Sequence, residues 1–167
     1  MAVLGVTRGN LGGSEYLCAF HRRTAGRPPQ LDAAAERALQ TLVRELVRSG
    51  TVTSAHDASE GGLAVALAEC CITEPEHELG ARVRLDFGGV PPHAFLFGED
   101  PSRVVVSFPP ASESALRQAC ERGKVPSVVV GTVGGPALVI EGALDLPVRS
   151  LAKAWRGGIP AVLKKAS

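Results

Sequence analysis

Between residues 31 and 47 the apolar positions fall on one face of a helix. Leu31, Ala34, Ala35, Ala38, Leu39, Leu42, Val43, Leu46 and Val47 recur at i, i+3, i+4 and i+7. Asp32 and Glu36 open that segment, Arg44 and Arg48 close it, and Gly50 follows. This is the order that a helix dipole and a glycine C-cap favour. Elsewhere the period changes. AVLGV (2–6) predicts a strand leading into the glycine-rich turn RGNLGGSEY, and RTAGRPPQ (23–30) predicts a loop. TVTSAHD (51–57) is a short β-branched run that reads as a strand. The apolar block at 61–73 is small and aliphatic nearly all round, so it predicts a helix buried on more than one side. ARVRLDF (81–87) alternates, with Val83, Leu85 and Phe87 opposite Arg82, Arg84 and Asp86, and predicts a half-exposed strand. RVVVSF (103–108) predicts a buried strand and 112–122 a third helix closed by Gly123. SVVVGTV and ALVIEG read as two strands separated by the turn Gly134-Gly135-Pro136, and 147–156 as a final helix. Strands and helices are interleaved without an internal repeat. The expected class is therefore α/β or α+β, a sheet with helices packed on it.

Composition narrows this picture. The length of 167 residues fits one domain, 1–167, with a single core. That core must be aliphatic and alanine-rich, because hydrophobic content is 45% while aromatics are 4%. Met1 runs almost at once into a glycine-rich turn, which suggests a piece of a longer chain. The formal charge of +1 predicts no nucleic-acid partner through bulk electrostatics. Apolar runs too short to span a bilayer, and the lack of a secretory signal at the start, predict no membrane partner and a cytoplasmic location. Cysteines stand at 18, 70, 71 and 120 with no C-x-x-C pair, so reduced thiols are expected rather than zinc ligands or disulfides. The sequence shows no nucleophile elbow, Walker A loop or H-E-x-x-H, and no aromatic cluster suited to stacking bases.

Three polar stretches remain as candidates for chemistry. In AHDASEGGLAVALAEC (55–70) a strand ends at His56 and Asp57 and a helix opens near Gly61 and Gly62. The first N–H groups of a helix lack intrahelical partners and lie at its positive end, so this turn is suited to an anion. An equally physical reading has Asp57 or Ser59 capping the helix while the glycines let it pack closely. LGGSEY (11–16) repeats the ingredients: two glycines, a hydroxyl and a carboxylate ahead of a helical stretch. FLFGEDPSR (95–103) sets Glu99, Asp100, Ser102 and Arg103 just before a buried strand, either lining a pocket or forming a solvated turn. His56 has no second histidine at helical spacing, so no metal is expected there.

Taken in order, LGGSEY, the long amphipathic helix, SAHDASEGGLAVALAE, LFGEDPSRVVVSF and VGTVGGPALVI resemble the C-terminal portion of the phosphoribosylformylglycinamidine synthase family. That family lies within the wider aminoimidazole ribonucleotide synthetase-like group, other members of which are the alternative. The H-D-x-S-[ED]-G-G-L turn followed by L-F-G-E carries the resemblance, which extends over nearly the whole chain. It implies a three-layer α/β/α domain with a mixed sheet and partial ferredoxin-like topology. It also implies a part in the ATP-dependent amidation of formylglycinamide ribonucleotide with glutamine-derived ammonia, in purine biosynthesis. ATP and Mg²⁺ are the implied cofactors of the full-length enzyme, with none held tightly by this portion alone. The implied partners are a preceding ATP-binding domain with the first half of the synthetase, a glutaminase subunit and a small bridging subunit. By motif, substrate or phosphate binding would fall to His56, Asp57, Ser59, Glu60, Gly61 and Gly62, and to Gly98, Glu99, Asp100, Ser102 and Arg103. The ATP-binding domain that should precede these motifs is not in the sequence. The same residues could therefore line a structural site in a domain that completes an interface.

Overall fold

A computed structural model of the chain describes residues 1–73 and 78–165. The first elements are β1 (Ala2–Leu4), α1 (Glu15–His21), α2 (Ala33–Arg48), β2 (Ser54–Asp57), α3 (Gly62–Ile72) and β3 (Ala81–Val83). Then come α4 (Pro92–Phe97), β4 (Val104–Ser107), α5 (Glu113–Gly123), β5 (Ser127–Val129) and β6 (Gly131–Val133). The last are β7 (Ala137–Ile140), β8 (Leu144–Pro147) and α6 (Val148–Lys165). This is the expected α+β class. The chain divides into two compact units, 1–67 with 86–130, and 68–85 with 131–167.

The first unit is built on a four-stranded sheet in the order β2-β4-β1-β5, in which every pair is antiparallel. All three residues of β1 are buried, between Val104–Val106 on one side and Ser127–Val129 on the other. Leu39, Leu42 and Leu46 of α2 and Leu116, Ala119 and Cys120 of α5 close over Ala2, Leu4 and Val106. Each buried leucine contributes about 2 kcal/mol, which is why the stripe read from the sequence lies against this sheet. The ends of that stripe do not reach it: Leu31 and Val47 stay exposed. Asp32 caps α2, its Oδ1 accepting from the N–H groups of Ala34 at 2.9 Å and Ala35 at 3.1 Å. As the sequence predicts, α3 is buried nearly all round.

The second unit carries a mixed four-stranded sheet in the order β6-β3-β7-β8. Here β3 runs antiparallel to β6 and parallel to β7, and β7 antiparallel to β8. The Gly-Gly-Pro turn links β6 to β7, but the two do not pair, because β3 lies between them. SVVVGTV is instead split at Val130, with β5 in one sheet and β6 in the other. Gly131 makes the second pairing possible, since a Cβ there would stand 2.0 Å from the Arg82 carbonyl oxygen. ARVRLDF is regular only over 81–83, although its alternation of buried or half-buried with exposed residues runs on to Phe87. The final helix is longer than expected. It continues past Gly157 and Gly158 and accommodates Pro160 at the loss of one internal hydrogen bond.

Candidate functional site

One carboxylate oxygen draws the three polar stretches together in the first unit. Glu99 Oε1 accepts from the N–H of Gly61 at 2.9 Å and from the N–H of Glu15 at 2.8 Å. LGGSEY, HDASEGG and FGEDPSR thus meet at a single atom, although Gly61 and Glu99 are 38 positions apart.

The strand register sets up this meeting. Asp57 ends β2 opposite Val104 of β4, and the Ala58 N–H donates to the Arg103 carbonyl at 3.0 Å. The chain then turns through Gly61 and Gly62, both left-handed at φ +76° and +68°, with the Gly62 N–H donating to the Ser59 carbonyl at 3.0 Å. Gly62 allows a close approach as well as the turn. A Cβ there would lie 2.6 Å from the Gly98 carbonyl oxygen and 2.8 Å from the Phe97 carbonyl carbon. The start of α3 therefore abuts the end of α4.

The second motif divides by role. Asp100 is 2% exposed and accepts from the N–H groups of Arg8 (2.8 Å), Gly9 (2.8 Å) and Asn10 (3.2 Å). Arg103 is equally buried and donates to the carbonyls of Asp100 at 3.0 Å and Gly98 at 2.5 Å, and to Thr7 Oγ1 at 3.4 Å. Burial lowers the Arg103 pKa while the charges of Asp100 and Glu99 oppose that shift. A guanidinium stays charged throughout such shifts. These two residues clamp the loop that presents Glu99. Ser102, left-handed at φ +60°, donates to Glu36 Oε2 at 2.5 Å.

The first motif faces outward. The Asp57 side chain is 73% exposed and accepts a short hydrogen bond from the Ser59 hydroxyl. That bond is the main cause of its lowered pKa, with burial opposing and the His56 charge adding a little. His56 Nδ1 lies 2.8 Å from the Asp57 carbonyl oxygen, and Glu60 is exposed. Asp57, Ser59, Glu99 and Ser102 share a cleft of about 820 Å³ with Glu36, Gln40 and Arg44 of α2. In the sequence, Glu36 and Arg44 read only as charges that complement the helix dipole. The available signal was their spacing, since 36, 40 and 44 recur every four residues along one flank of the apolar stripe. Gln40 Nε2 donates to Glu36 Oε1 at 2.6 Å.

Two expectations change. The N–H groups of Gly61 and Gly62, expected to face a bound anion, are engaged within the protein, and the anion at Gly61 is Glu99 itself. The sequence also showed no aromatic cluster, yet α1 and α4 assemble one around Tyr16. Its ring centroid lies 5.3 Å from Phe20, 5.5 Å from His21, 5.9 Å from His93 and 5.2 Å from Phe97. The rings come from segments too far apart in sequence to read as a motif.

Among the described residues, no group of three or more His, Cys, Asp or Glu side chains is placed to hold a metal ion. The carboxylates of Glu99 and Asp100 are taken by backbone N–H donors, so the residues here do not fit a nest for Mg²⁺. The four cysteines are free thiols. Burial pushes the Cys70 thiol up to about 12 and the Cys71 thiol to about 11, so neither supplies a thiolate near neutral pH.

The family model for AIR synthase related protein, C-terminal domain, matches residues 1–141. The chain is 48% identical over 172 residues to the phosphoribosylformylglycinamidine synthase subunit PurL of Anaeromyxobacter sp. (strain Fw109-5), covering 99% of this chain and 22% of the relative. It is 40% identical over 173 residues to the PurL subunit of Moorella thermoacetica, with the same coverage of 99% and 22%. The chain thus spans about a fifth of the length of these curated relatives. Among solved structures, T. maritima PurL complexed with FGAR superposes with a TM-score of 0.75 at 23% identity, over 90% of this chain and 27% of that one. PurLQS from Thermotoga maritima gives 0.65 at 24%, over 90% and 25%. At these identities the likeness is one of fold.

Proposed function

The chain belongs to the AIR synthase related protein family, as its C-terminal domain, and from that premise we propose that it serves as the C-terminal domain of a phosphoribosylformylglycinamidine synthase. The reaction would be the ATP-dependent amidation of formylglycinamide ribonucleotide in the cytoplasm, with ammonia from a glutaminase subunit. The γ-phosphoryl group of ATP would pass to the amide oxygen with release of ADP, and ammonia would then displace phosphate to leave the amidine. Identity with PurL subunits along almost the whole chain supports this reading. ATP and Mg²⁺ would be held by the preceding ATP-binding domain. A glutaminase and a small bridging subunit would complete the assembly, in keeping with the PurLQS structure of similar fold.

The observation that carries a role for this cleft is the meeting of three motifs on Glu99. Glu99, Asp100, Arg103 and the paired glycines build the turn. Asp57, Ser59 and His56 stand at its surface, Asp57 and Ser59 on the cleft wall, as side chains able to reach a ligand. The internal engagement of Glu99, Asp100 and Arg103 favours a second reading, in which this half is architectural and the cleft completes an interface. Asp57→Ala and Ser59→Ala in the complete synthetase separate the two. Loss of a charge-assisted contact should raise the KM for ribonucleotide or ATP about tenfold, with folding unchanged. If kcat and both KM values are unaltered, the interface reading stands. The 167-residue chain alone should show no ligase turnover, because it contributes only about a fifth of its relatives' length.

A further inference from the structure

A second groove in the first unit lies beyond Asp100 and Pro101, between the loops at 8–10 and 27–32, and encloses about 560 Å³. Arg8 and Arg27 both line it, with Asn10 and Gln30 beside them and Pro28, Pro29 and Pro101 as stiff walls. Both arginines are exposed, and neither guanidinium makes an ion pair or hydrogen bond among the described residues. The two acids of the groove accept from backbone donors. Asp32 accepts from the N–H groups of Ala34 and Ala35, and Asp100 from those of Arg8, Gly9 and Asn10. In formal charge the two acids offset the two arginines, and Arg8 is close enough to Asp32 to help lower its pKa, but among the described residues no acceptor takes the N–H donors of either guanidinium.

The backbones that carry the two arginines are anchored. The Arg8 N–H is held by Asp100 at 2.8 Å. The Gly13 N–H donates to the Ala25 carbonyl at 2.9 Å, and Gly12 lies so close to Arg27 that a Cβ there would stand 1.9 Å from its carbonyl oxygen. Two guanidiniums on fixed backbones offer forked donors to a tetrahedral, doubly charged oxyanion better than to a single carboxylate. A groove of this size holds a small organic molecule and not merely a free ion.

We propose that Arg8 and Arg27 form a binding site for the phosphoryl group of a phosphate monoester, in a groove that adjoins the cleft at Asp57 along Leu31, Asp100 and Pro101. The site does not depend on the synthase reading, since it rests on this groove alone. Titration calorimetry of the 167-residue chain with adenosine 5′-monophosphate, inorganic phosphate and uncharged adenosine tests it. The monophosphate should bind at one site and adenosine should not. Arg8→Ala and Arg27→Ala should each weaken binding about tenfold or more, and Arg8→Lys by less, since lysine keeps the charge but loses the fork. Arg37→Ala, an exposed α2 arginine outside the groove, should change nothing. Inorganic phosphate binding as tightly as the monophosphate would assign the site to the free ion, and weaker binding would assign it to an ester; both keep the two arginines. Amide-proton spectra of each variant report whether it is folded. Absence of phosphate binding to the unaltered chain overturns the proposal. So does monophosphate binding that survives both alanine variants, or that falls equally in Arg37→Ala.

Discussion

Gly62 and Gly13 share a left-handed backbone, φ +68° and +74°, and differ in what surrounds them. A side chain at Gly13 would meet nothing within 4 Å, whereas one at Gly62 would strike the Gly98 carbonyl and the end of α4. Gly13→Ala should therefore cost only the backbone preference, about 1 kcal/mol, and Gly62→Val about 3 kcal/mol or more. Urea unfolding of both variants checks this; equal losses would mean that contact with α4 contributes nothing. Asp57 gives a pH-dependent counterpart. Its folded pKa is depressed, chiefly by the Ser59 hydroxyl. It therefore adds stability above its unfolded value of about 3.9, and that stability is lost as pH falls through the folded value. The contribution is small because the side chain is exposed. Ser59→Ala should move the Asp57 midpoint up toward the ordinary carboxylate range in a carbon-13 NMR titration. A midpoint that stays in place would show that the hydroxyl is not its cause.

At the scale of elements, the segment between α4 and β4 is held more firmly than its polar sequence suggests. Asp100→Ala would leave three backbone N–H groups without their acceptor, so it should destabilise the chain by about 3 kcal/mol or more. Glu99→Gln keeps an amide oxygen as acceptor and should cost about 1 kcal/mol. Asp57→Ala should lie within about 0.5 kcal/mol of the unaltered chain. Thermal and urea denaturation of the three variants tests that ranking, and an inverted order would reassign which carboxylate builds the turn. α2 was readable because its apolar period runs along almost the whole of a sixteen-residue helix. α4 was not, because six residues hold too little of a helical period to stand out from FLFG.

Over the whole molecule, apolar surface collects on the last helix of the second unit. Trp155, Ile159 and Val162, at i, i+4 and i+7 of α6, are 60%, 76% and 68% exposed. A stripe of that kind favours association. Light scattering should show the 167-residue chain self-associating as its concentration approaches the millimolar range, and Ile159→Glu should reduce this. An ideal monomer at millimolar protein would show that the stripe does not drive assembly.

Local order was open to reading because each piece depends on neighbours within a turn or two. The α2 stripe, the alternation at 81–87 and the buried character of α3 all follow from side chains a few positions apart. The family resemblance was legible for the same reason, since each motif that carries it is a short contiguous string. What those strings do to one another depended on the tertiary structure. Pairing Asp57 with Val104 brings Gly61 beneath Glu99, and Asp100 reaches 92 positions back to Arg8. Only that register reveals that the turn's anion is the protein's own carboxylate. It also parts SVVVGTV between two sheets, through a close approach at Gly131 that no local period encodes. Contacts between distant segments are selected by packing and backbone hydrogen bonding over the whole fold, and the sequence pattern specifies only the pieces that enter them.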